Sequence, residues 1–361
     1  MDQNNFQNVD EPKKKKTGVI ILLLILLLVI VGVVVFLLGK KDTSSNNSNE
    51  GNTASEKTET GDNNKKTAGV VNPNANKTEK ACTYDGEVAR GNKMGRSTKF
   101  QEGKYMYMYG EYYKPGNRGN YVFMPDGEEA WSVWYADANS TDPITEAPCT
   151  SINGIPVKYM TYMFYRVKAT SIDLSNFNTT NVINMDNMFY GVNVSSLDFS
   201  GFDTSNVTDM TGMFSYAKVD KLNLSTFDTS KVTSMEEMFD GTETSELNVS
   251  SFDTSKVKSM KSMFSWSKMG NLDLTSFTGE NVEDTAYIFR HSDIKEIDLS
   301  NFVEEKCYED TRYNTICWGD TMFEDSTLEK IYLSQKMADD LANYSKLKSV
   351  TFDFEIIVKG K

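Results

Sequence analysis

The chain has 361 residues, of which 39% are hydrophobic, and its formal net charge is −13. A chain of this length is long enough for two or three domains. This negative net charge argues against nucleic-acid binding and against electrostatic attraction to an anionic membrane surface. We therefore expect no nucleic-acid partner.

The first element predicted along the chain is a transmembrane helix at residues 18–38. These 21 residues are uncharged and mostly aliphatic, and a helix of that length, roughly 31 Å, matches a hydrocarbon core of about 30 Å. The larger basic cluster, Lys13–Lys16, precedes the helix, which predicts that residues 1–17 are a short cytoplasmic tail. A cleaved signal peptide is the alternative, but the apolar run is too long and no A-x-A site follows it. The sequence predicts a single-pass membrane protein with residues 39–361 outside the cell.

Two segments follow before the repeats begin. Residues 39–80 are polar with very few apolar side chains, which predicts a disordered linker. Residues 81–150 contain the aromatic runs Tyr105–Tyr109 and Trp131–Tyr135, separated by a Pro-Asp-Gly turn, and this pattern predicts a small domain of antiparallel strands. We expect this domain to cap the first edge of the repeats. A carbohydrate-binding aromatic platform is the alternative.

Residues 151–333 carry a repeat of 25 residues. Within one repeat, Leu197–Ser200 alternates apolar and polar residues and predicts a short strand, and Asp203–Ser205 predicts a turn. Val207–Phe214 has apolar residues three apart, which predicts a short helix or 3₁₀ segment. Stacked repeats of this kind bury a continuous core. The clearest column of the repeat consists of Phe177, Phe202, Phe227, Phe252, Phe277 and Phe302.

The phrase LDFSGFDTSNVTDMTGMF at Leu197–Phe214 resembles the BspA-like leucine-rich-repeat surface proteins of bacteria. The resemblance covers about half of the chain. It implies an α/β repeat solenoid, in which 25-residue repeats form a right-handed stack of leucine-rich-repeat type. It also implies an adhesive or protein-binding role at a cell surface.

One candidate binding surface is a column of polar residues on the exposed side of the predicted strands. It could be a hydrogen-bonded polar ladder, a binding surface for basic protein segments, or a set of weak Ca²⁺ sites between repeats. A second column, Asp203, Asp228 and Asp253, is predicted to cap turns. The first column consists of Asp173, Asp198, Asn223, Asn248, Asp273 and Asp298.

A second candidate surface is an insertion at residues 307–317, which interrupts the sixth repeat. Aromatic and arginine side chains are enriched at protein interfaces, and the insertion and its flank carry four of them. These candidate contact residues are Tyr308, Arg312, Tyr313 and Trp318.

The four cysteines are predicted to form the disulfides Cys82–Cys149 and Cys307–Cys317. A four-cysteine metal site is the alternative, but the paired spacings that it needs are missing. A column of methionines could bind copper, but its positions predict core packing. No second histidine accompanies His291, which argues against histidine-based catalysis. We expect no cofactor.

The sequence therefore predicts a membrane-anchored bacterial surface protein that binds extracellular or envelope proteins, contacts the membrane through residues 18–38, and is not an enzyme. Residues 334–361 are predicted to cap the repeats. A structural protein of the cell envelope is the alternative, because the linker spans only about 130 Å when fully extended. A carboxylate enzyme acting on wall glycans would need two acids about 5–10 Å apart across a cleft, and the sequence predicts no cleft.

Overall fold

The structure, a computed structural model, describes residues 79–91, 97–113, 121–302, 308–310, 314–316, 322–348 and 353–359. The chain divides into two compact units, Met1–Ala68 and Gly69–Lys361. All of the described residues lie in the second compact unit.

The first part of this unit is a six-stranded sheet with the order β1-β7-β8-β6-β3-β2. Strands β2, β3 and β6 pair antiparallel, as the aromatic runs predict, whereas β6 and β8 pair parallel. Tyr105, Tyr107 and Trp131 are buried, so one face of the sheet belongs to the core. The six strands are β1 (Ala81–Cys82), β2 (Lys99–Glu102), β3 (Tyr105–Tyr109), β6 (Trp131–Tyr135), β7 (Ser151–Ile152) and β8 (Ile155–Tyr159). A separate two-stranded sheet is formed by β4 (Glu111–Tyr113) and β5 (Tyr121–Phe123).

The repeats stack through parallel β-pairing in which each residue pairs with its equivalent in the next repeat. Short strands form one ladder, with Leu222 opposite Leu247. Isolated bridges form two more ladders, such as Asp209 to Ser234 and Lys218 to Glu243. The later strands are β9 (Lys221–Asn223), β10 (Glu246–Asn248), β11 (Leu272–Asp273), β12 (Glu296–Leu299), β13 (Tyr308–Asp310), β14 (Asn314–Ile316), β15 (Lys330–Leu333) and β16 (Glu355–Val358).

The core of the stack contains a column of phenylalanine rings, one for each repeat. Phe214 and Phe239 lie 5.7 Å apart between ring centroids, and Phe239 and Phe264 lie 5.4 Å apart, with nearly parallel planes. The methionines are fully buried beside this column, which confirms that they pack in the core. They are Met185, Met210, Met235 and Met260.

The repeats contain no helix among the described residues, because two residues in each repeat adopt a left-handed backbone. A right-handed helix requires negative φ at every position. The backbone N–H groups of Asn187 and Phe189 instead donate to Thr211 and Met213 of the next repeat, at 2.8 and 2.9 Å. The left-handed columns are Tyr162, Asn187, Gly212, Glu237, Ser262 and Tyr287, and then Arg166, Gly191, Tyr216, Gly241, Trp266 and His291.

The predicted α/β repeat solenoid is therefore wrong. The described chain is mostly β, and its single helix, α1 (Gln335–Lys348), follows the repeats. Each repeat consists of three short β-pairings joined by turns, where a strand and a backing helix were expected. The apolar residues three apart in Val207–Phe214 face the core from turns and not from a helix.

The predicted transmembrane helix at residues 18–38 lies outside the described residues. In the part of the chain that the structure describes, no helix combines the length and the apolar character needed to cross a bilayer. The predicted single-pass membrane localisation is corrected on this finding, because the structure does not support membrane anchoring.

A buried column of threonines joins the repeats from inside. The Thr229 hydroxyl donates to the carbonyl of Asp253 at 3.0 Å and accepts from the N–H of the same residue at 2.8 Å. This pairing satisfies a backbone donor and acceptor that have no β partner there. The same two bonds recur at Thr179, Thr204 and Thr254.

The end of the repeats is formed by α1 and β16. Ser334 accepts a hydrogen bond from the N–H of Met337 at 3.3 Å, as a helix N-cap does. Met337 and Leu341 bury their side chains in the core. Strand β16 pairs parallel with β15, which extends the ladder by one strand.

Candidate functional site

The predicted column of Asp and Asn residues forms turns. In each repeat the side-chain oxygen accepts a hydrogen bond from the backbone N–H two residues later, so the residue stabilises the turn that ends its strand. Asp298 also forms an ion pair with Lys359. The bonds are Asp173 to Ser175, Asp198 to Ser200, Asn223 to Ser225, Asn248 to Ser250, Asp273 to Thr275 and Asp298 to Ser300, at 2.9–3.2 Å.

This geometry predicts the effect of changing Asp198. Asp198→Ala removes the acceptor for Ser200 and should lower the free energy of unfolding by about 1 kcal/mol. Asp198→Asn is the matched control, because Asn223 and Asn248 make the same bond in neighbouring repeats. Denaturant unfolding measures both variants. Equal destabilisation by Ala and Asn would show that the carboxylate charge matters and that the turn bond does not.

The second acidic column caps turns as predicted. Asp203, Asp228 and Asp253 each accept a hydrogen bond from the serine N–H two residues later, at 2.9–3.0 Å. Among the described residues, no group of three or more His, Cys, Asp or Glu is arranged to hold a metal ion.

The insertion contains a two-stranded hairpin. Tyr308 lies in β13, which pairs antiparallel with β14 and places Tyr308 opposite Ile316. Arg312, Tyr313, Trp318 and the pair Cys307 and Cys317 lie outside the described residues, so their contact role and their disulfide stay predictions. The other disulfide, Cys82–Cys149, is present as predicted.

A groove of about 710 Å³ lies beside the ladder that pairs Lys218 with Glu243. Lys218 and Lys268 both bind Glu243 across it, at 3.2 and 3.0 Å. These hydrogen bonds from Lys268 and Lys218 lower the pKa of Glu243. Because Lys218, Glu243 and Lys268 already pair with each other, we do not assign the groove a ligand.

The structure reveals a row of half-buried and exposed aromatic side chains that the sequence analysis missed. We call it the aromatic strip and define it as Tyr113, Trp134, Tyr162, Tyr165, Tyr190, Tyr216 and Trp266. Six of these rings form a continuous series of contacts, with centroid distances of 5.0–6.1 Å, in the order Trp134, Tyr113, Tyr162, Tyr165, Tyr190 and Tyr216. The strip runs from the six-stranded sheet onto the repeats. Trp266 lies two repeats beyond Tyr216, in the same column.

Two residues of the strip are both exposed and conformationally strained. Tyr216 and Trp266 expose 48% and 54% of their surface, and their φ angles are 54° and 55°. Bulky side chains rarely adopt positive φ, which costs on the order of 1 kcal/mol. Gly191 and Gly241 occupy the same column with φ of 65° and 64°, at no steric cost. The fold itself therefore does not require an aromatic ring at either position.

The stacking of the repeats imposes this backbone geometry on every residue of the column. The backbone N–H of Tyr216 donates to the backbone carbonyl of Asp240 at 2.7 Å, and that of Trp266 donates to the carbonyl of Arg290 at 2.8 Å. The N–H of Gly241 makes the same bond to Ser265 at 2.7 Å. The side chain at this position can therefore vary without altering the repeat.

Carboxylates lie beside the strip. Burial raises the pKa of Asp240 from its usual 3.8 to about 6, although hydrogen bonds from Tyr216 and Ser265 oppose this shift. Burial and the neighbouring charge of Asp240 raise the pKa of Tyr216 to about 12. Burial, followed by the charge of Asp186, also raises the pKa of Tyr162. The hydroxyl groups of Tyr162 and Tyr216 are therefore neutral at physiological pH, and each has a carboxylate nearby.

The repeats match a model of one protein family. The family is described as "Mycoplasma protein of unknown function, DUF285", and the matches cover residues 139–223 and 218–323. Together they span residues 139–323, which is just over half of the 361 residues. The chain belongs to this family. Membership is consistent with a bacterial surface protein, but it does not confirm the leucine-rich-repeat type that the repeats resemble. No curated protein and no solved structure matches the chain.

Most of the aromatic strip lies inside the part of the chain that matches the DUF285 family.

The strip's acidic neighbour Asp240 makes the free energy of unfolding depend on pH. The folded-state pKa of about 6 lies above the ordinary 3.8, so the folded protein holds this proton to higher pH than the unfolded chain. Stability from this group is present below about pH 4 and is lost as the pH rises towards 6.

Asp240→Asn should remove this dependence. At pH 7 the variant should be more stable than the parent by on the order of 1 kcal/mol, and at about pH 4 the two should be equal. Denaturant unfolding across this range tests it, with the exposed Asp220→Asn as a control. A variant that is less stable at pH 7 would show that the Asp240 charge stabilises the fold.

Proposed function

We propose that this protein binds another protein non-covalently through the aromatic strip and performs no catalytic chemistry. The supporting observation is the pair Tyr216 and Trp266, whose rings are exposed on a strained backbone at a position where Gly191 and Gly241 serve the fold equally well. Strain that a fold does not need is typical of functional positions.

The chemistry of the strip suits a protein interface. Tyrosine and tryptophan are enriched at interface hot spots, because each contributes a large rigid area together with a polar group. Arginine is a third residue type of such hot spots, and Arg166 lies over Tyr165 and Tyr190 of the strip. Membership of the family is consistent with a bacterial surface protein. On a bacterial surface, such an interface would support adhesion or the binding of a neighbouring surface protein.

Site-specific crosslinking tests the proposal. The photoreactive residue benzoylphenylalanine is placed at position 216, at position 266, or at the exposed Lys256 as a control. It is carried by the full chain in the cells that produce it. We expect one crosslinked protein from positions 216 and 266 and none from 256. The purified partner should then bind the Trp266→Gly variant at least tenfold more weakly. Equal crosslinking from all three positions would overturn the proposal.

A further inference from the structure

We propose that the partner presents arginine side chains to the aromatic strip, and that the rings of Tyr216 and Trp266 bind their guanidinium groups. This inference rests on the proposed function and specifies the chemistry of the partner. Three features of the strip support it: the cations that already lie over its rings, the absence of one at the two exposed rings, and the acidic groups beside Tyr216.

The protein itself stacks cations on rings of the strip. The guanidinium of Arg166 lies 5.4 Å from the Tyr165 ring centre and 5.5 Å from that of Tyr190. The Arg166 side chain crosses Gly191, where an added Cβ would come within 3.0 Å of its Cγ. The ammonium nitrogen of Lys99 lies 5.1 Å from the centre of the Trp134 ring. Gly191 thus leaves room for the Arg166 side chain to reach across the neighbouring rings, whereas the equivalent space at Gly241 holds the ring of Tyr216.

The two exposed rings carry no such cation. Among the described residues, the cations found over aromatic rings are those of Lys99, Arg166, Arg290 and Lys359, and none lies over Tyr216 or Trp266. Trp266 lies against His291 with centroids 4.0 Å apart and ring planes tilted by 31°, yet it still exposes 54% of its surface.

The charges near Tyr216 complement a cation. Asp240 and Glu237 both lie close enough to influence the Tyr216 hydroxyl. Glu237 is exposed, whereas Asp240 is buried next to the ring. The whole chain carries a net charge of −13, which attracts basic partners at long range.

Arginine fits these rings better than lysine. A guanidinium is planar and weakly hydrated, so it stacks on an aromatic face while its N–H groups still bind a carboxylate. An ammonium group is a more strongly hydrated point charge: it can lie over a ring, as that of Lys99 does, but it has no planar face to stack on the ring. The inference therefore predicts selectivity between two cations of equal charge, which simple attraction to an acidic protein does not.

Fluorescence anisotropy with labelled peptides provides the test. The full chain is titrated with oligoarginine, oligolysine and oligoglutamine of equal length at physiological salt. We expect oligoarginine to bind about tenfold more tightly than oligolysine, and oligoglutamine not to bind. Tyr216→Gly and Trp266→Gly should each weaken oligoarginine binding by about three- to thirtyfold. Both variants should fold, because glycine already occupies this column.

A pair of charge variants separates local from general attraction. Glu237 lies beside the strip, so Glu237→Gln should weaken oligoarginine binding. Glu246 is an exposed residue of strand β10, so Glu246→Gln should leave oligoarginine binding unchanged. Equal binding of oligoarginine and oligolysine, with no effect of Trp266→Gly, would overturn the inference. If crosslinking from positions 216 and 266 still identified a partner, the proposed function would stand without the arginine chemistry.

Discussion

Phe239→Ala should lower the free energy of unfolding by about 3–5 kcal/mol. Phe239 is fully buried at the middle of the phenylalanine column, and it stacks on Phe214 and Phe264. Removing its ring leaves a cavity that two neighbouring repeats share. The backbone cannot collapse into that cavity, because its hydrogen bonds to the next repeat fix the spacing on both sides.

Denaturant unfolding followed by circular dichroism measures this loss. Tyr216→Ala is the matched control, since it removes an aromatic ring from the preceding repeat but from the exposed surface. We expect the control to differ from the parent by less than about 1 kcal/mol. A similar loss in both variants would contradict the assignment of the phenylalanine column as the main core contact between repeats.

Removing the disulfide should have an effect of similar size. The double variant Cys82→Ser with Cys149→Ser should lose about 4 kcal/mol, because the bond closes a loop with a sequence separation of 67 residues. The bond holds the two-residue strand β1 beside β7, and the pairing of these strands comprises two residue pairs. We therefore expect residues 79–91 to become sensitive to protease before the repeats unfold.

The double variant is preferable to a reducing agent, because a reductant would also act on Cys307 and Cys317. A single variant, Cys82→Ser, would leave Cys149 as a free thiol and should be destabilised to the same extent. An unchanged denaturation midpoint in the double variant would show that β1 is held by its β-pairing alone.

The 25-residue period of the sequence was sufficient to predict a stack with a continuous core. Phe177, Met210 and Val232 recur with this period, and the structure buries all three. The prediction succeeded because a column of apolar residues at one fixed step can be buried only when equivalent residues meet across repeats.

The secondary structure of the repeat could not be predicted in the same way. Apolar residues three apart are compatible with a helix. They are equally compatible with a series of turns whose backbone N–H groups donate hydrogen bonds to the next repeat. The deciding signal was weak: Gly191, Gly212 and Gly241 mark left-handed positions, but Asn187, Tyr216 and Trp266 occupy the same columns. Backbone pairing between repeats overrode local propensity here.

The aromatic strip was missed because its residues vary between repeats. A repeat is recognised from the positions that carry the same type of residue in every copy, and in this chain those positions build the core. Tyr216 and Trp266 share a column with two glycines, so no periodic pattern drew attention to them. The Asp and Asn column, by contrast, was found because it repeats, and its regular role is to hold a turn. In this chain the regular positions build the fold, and the irregular ones are the better candidates for function.

The central claim is that the rings of Tyr216 and Trp266 serve contact with a partner and not the stability of the fold. The most direct test is the free energy of unfolding of the Tyr216→Gly and Trp266→Gly double variant. We predict a value within about 1 kcal/mol of the parent, because relief of strain offsets the lost ring contacts. A loss of several kcal/mol would mean that the rings hold the repeats together, and it would contradict the claim.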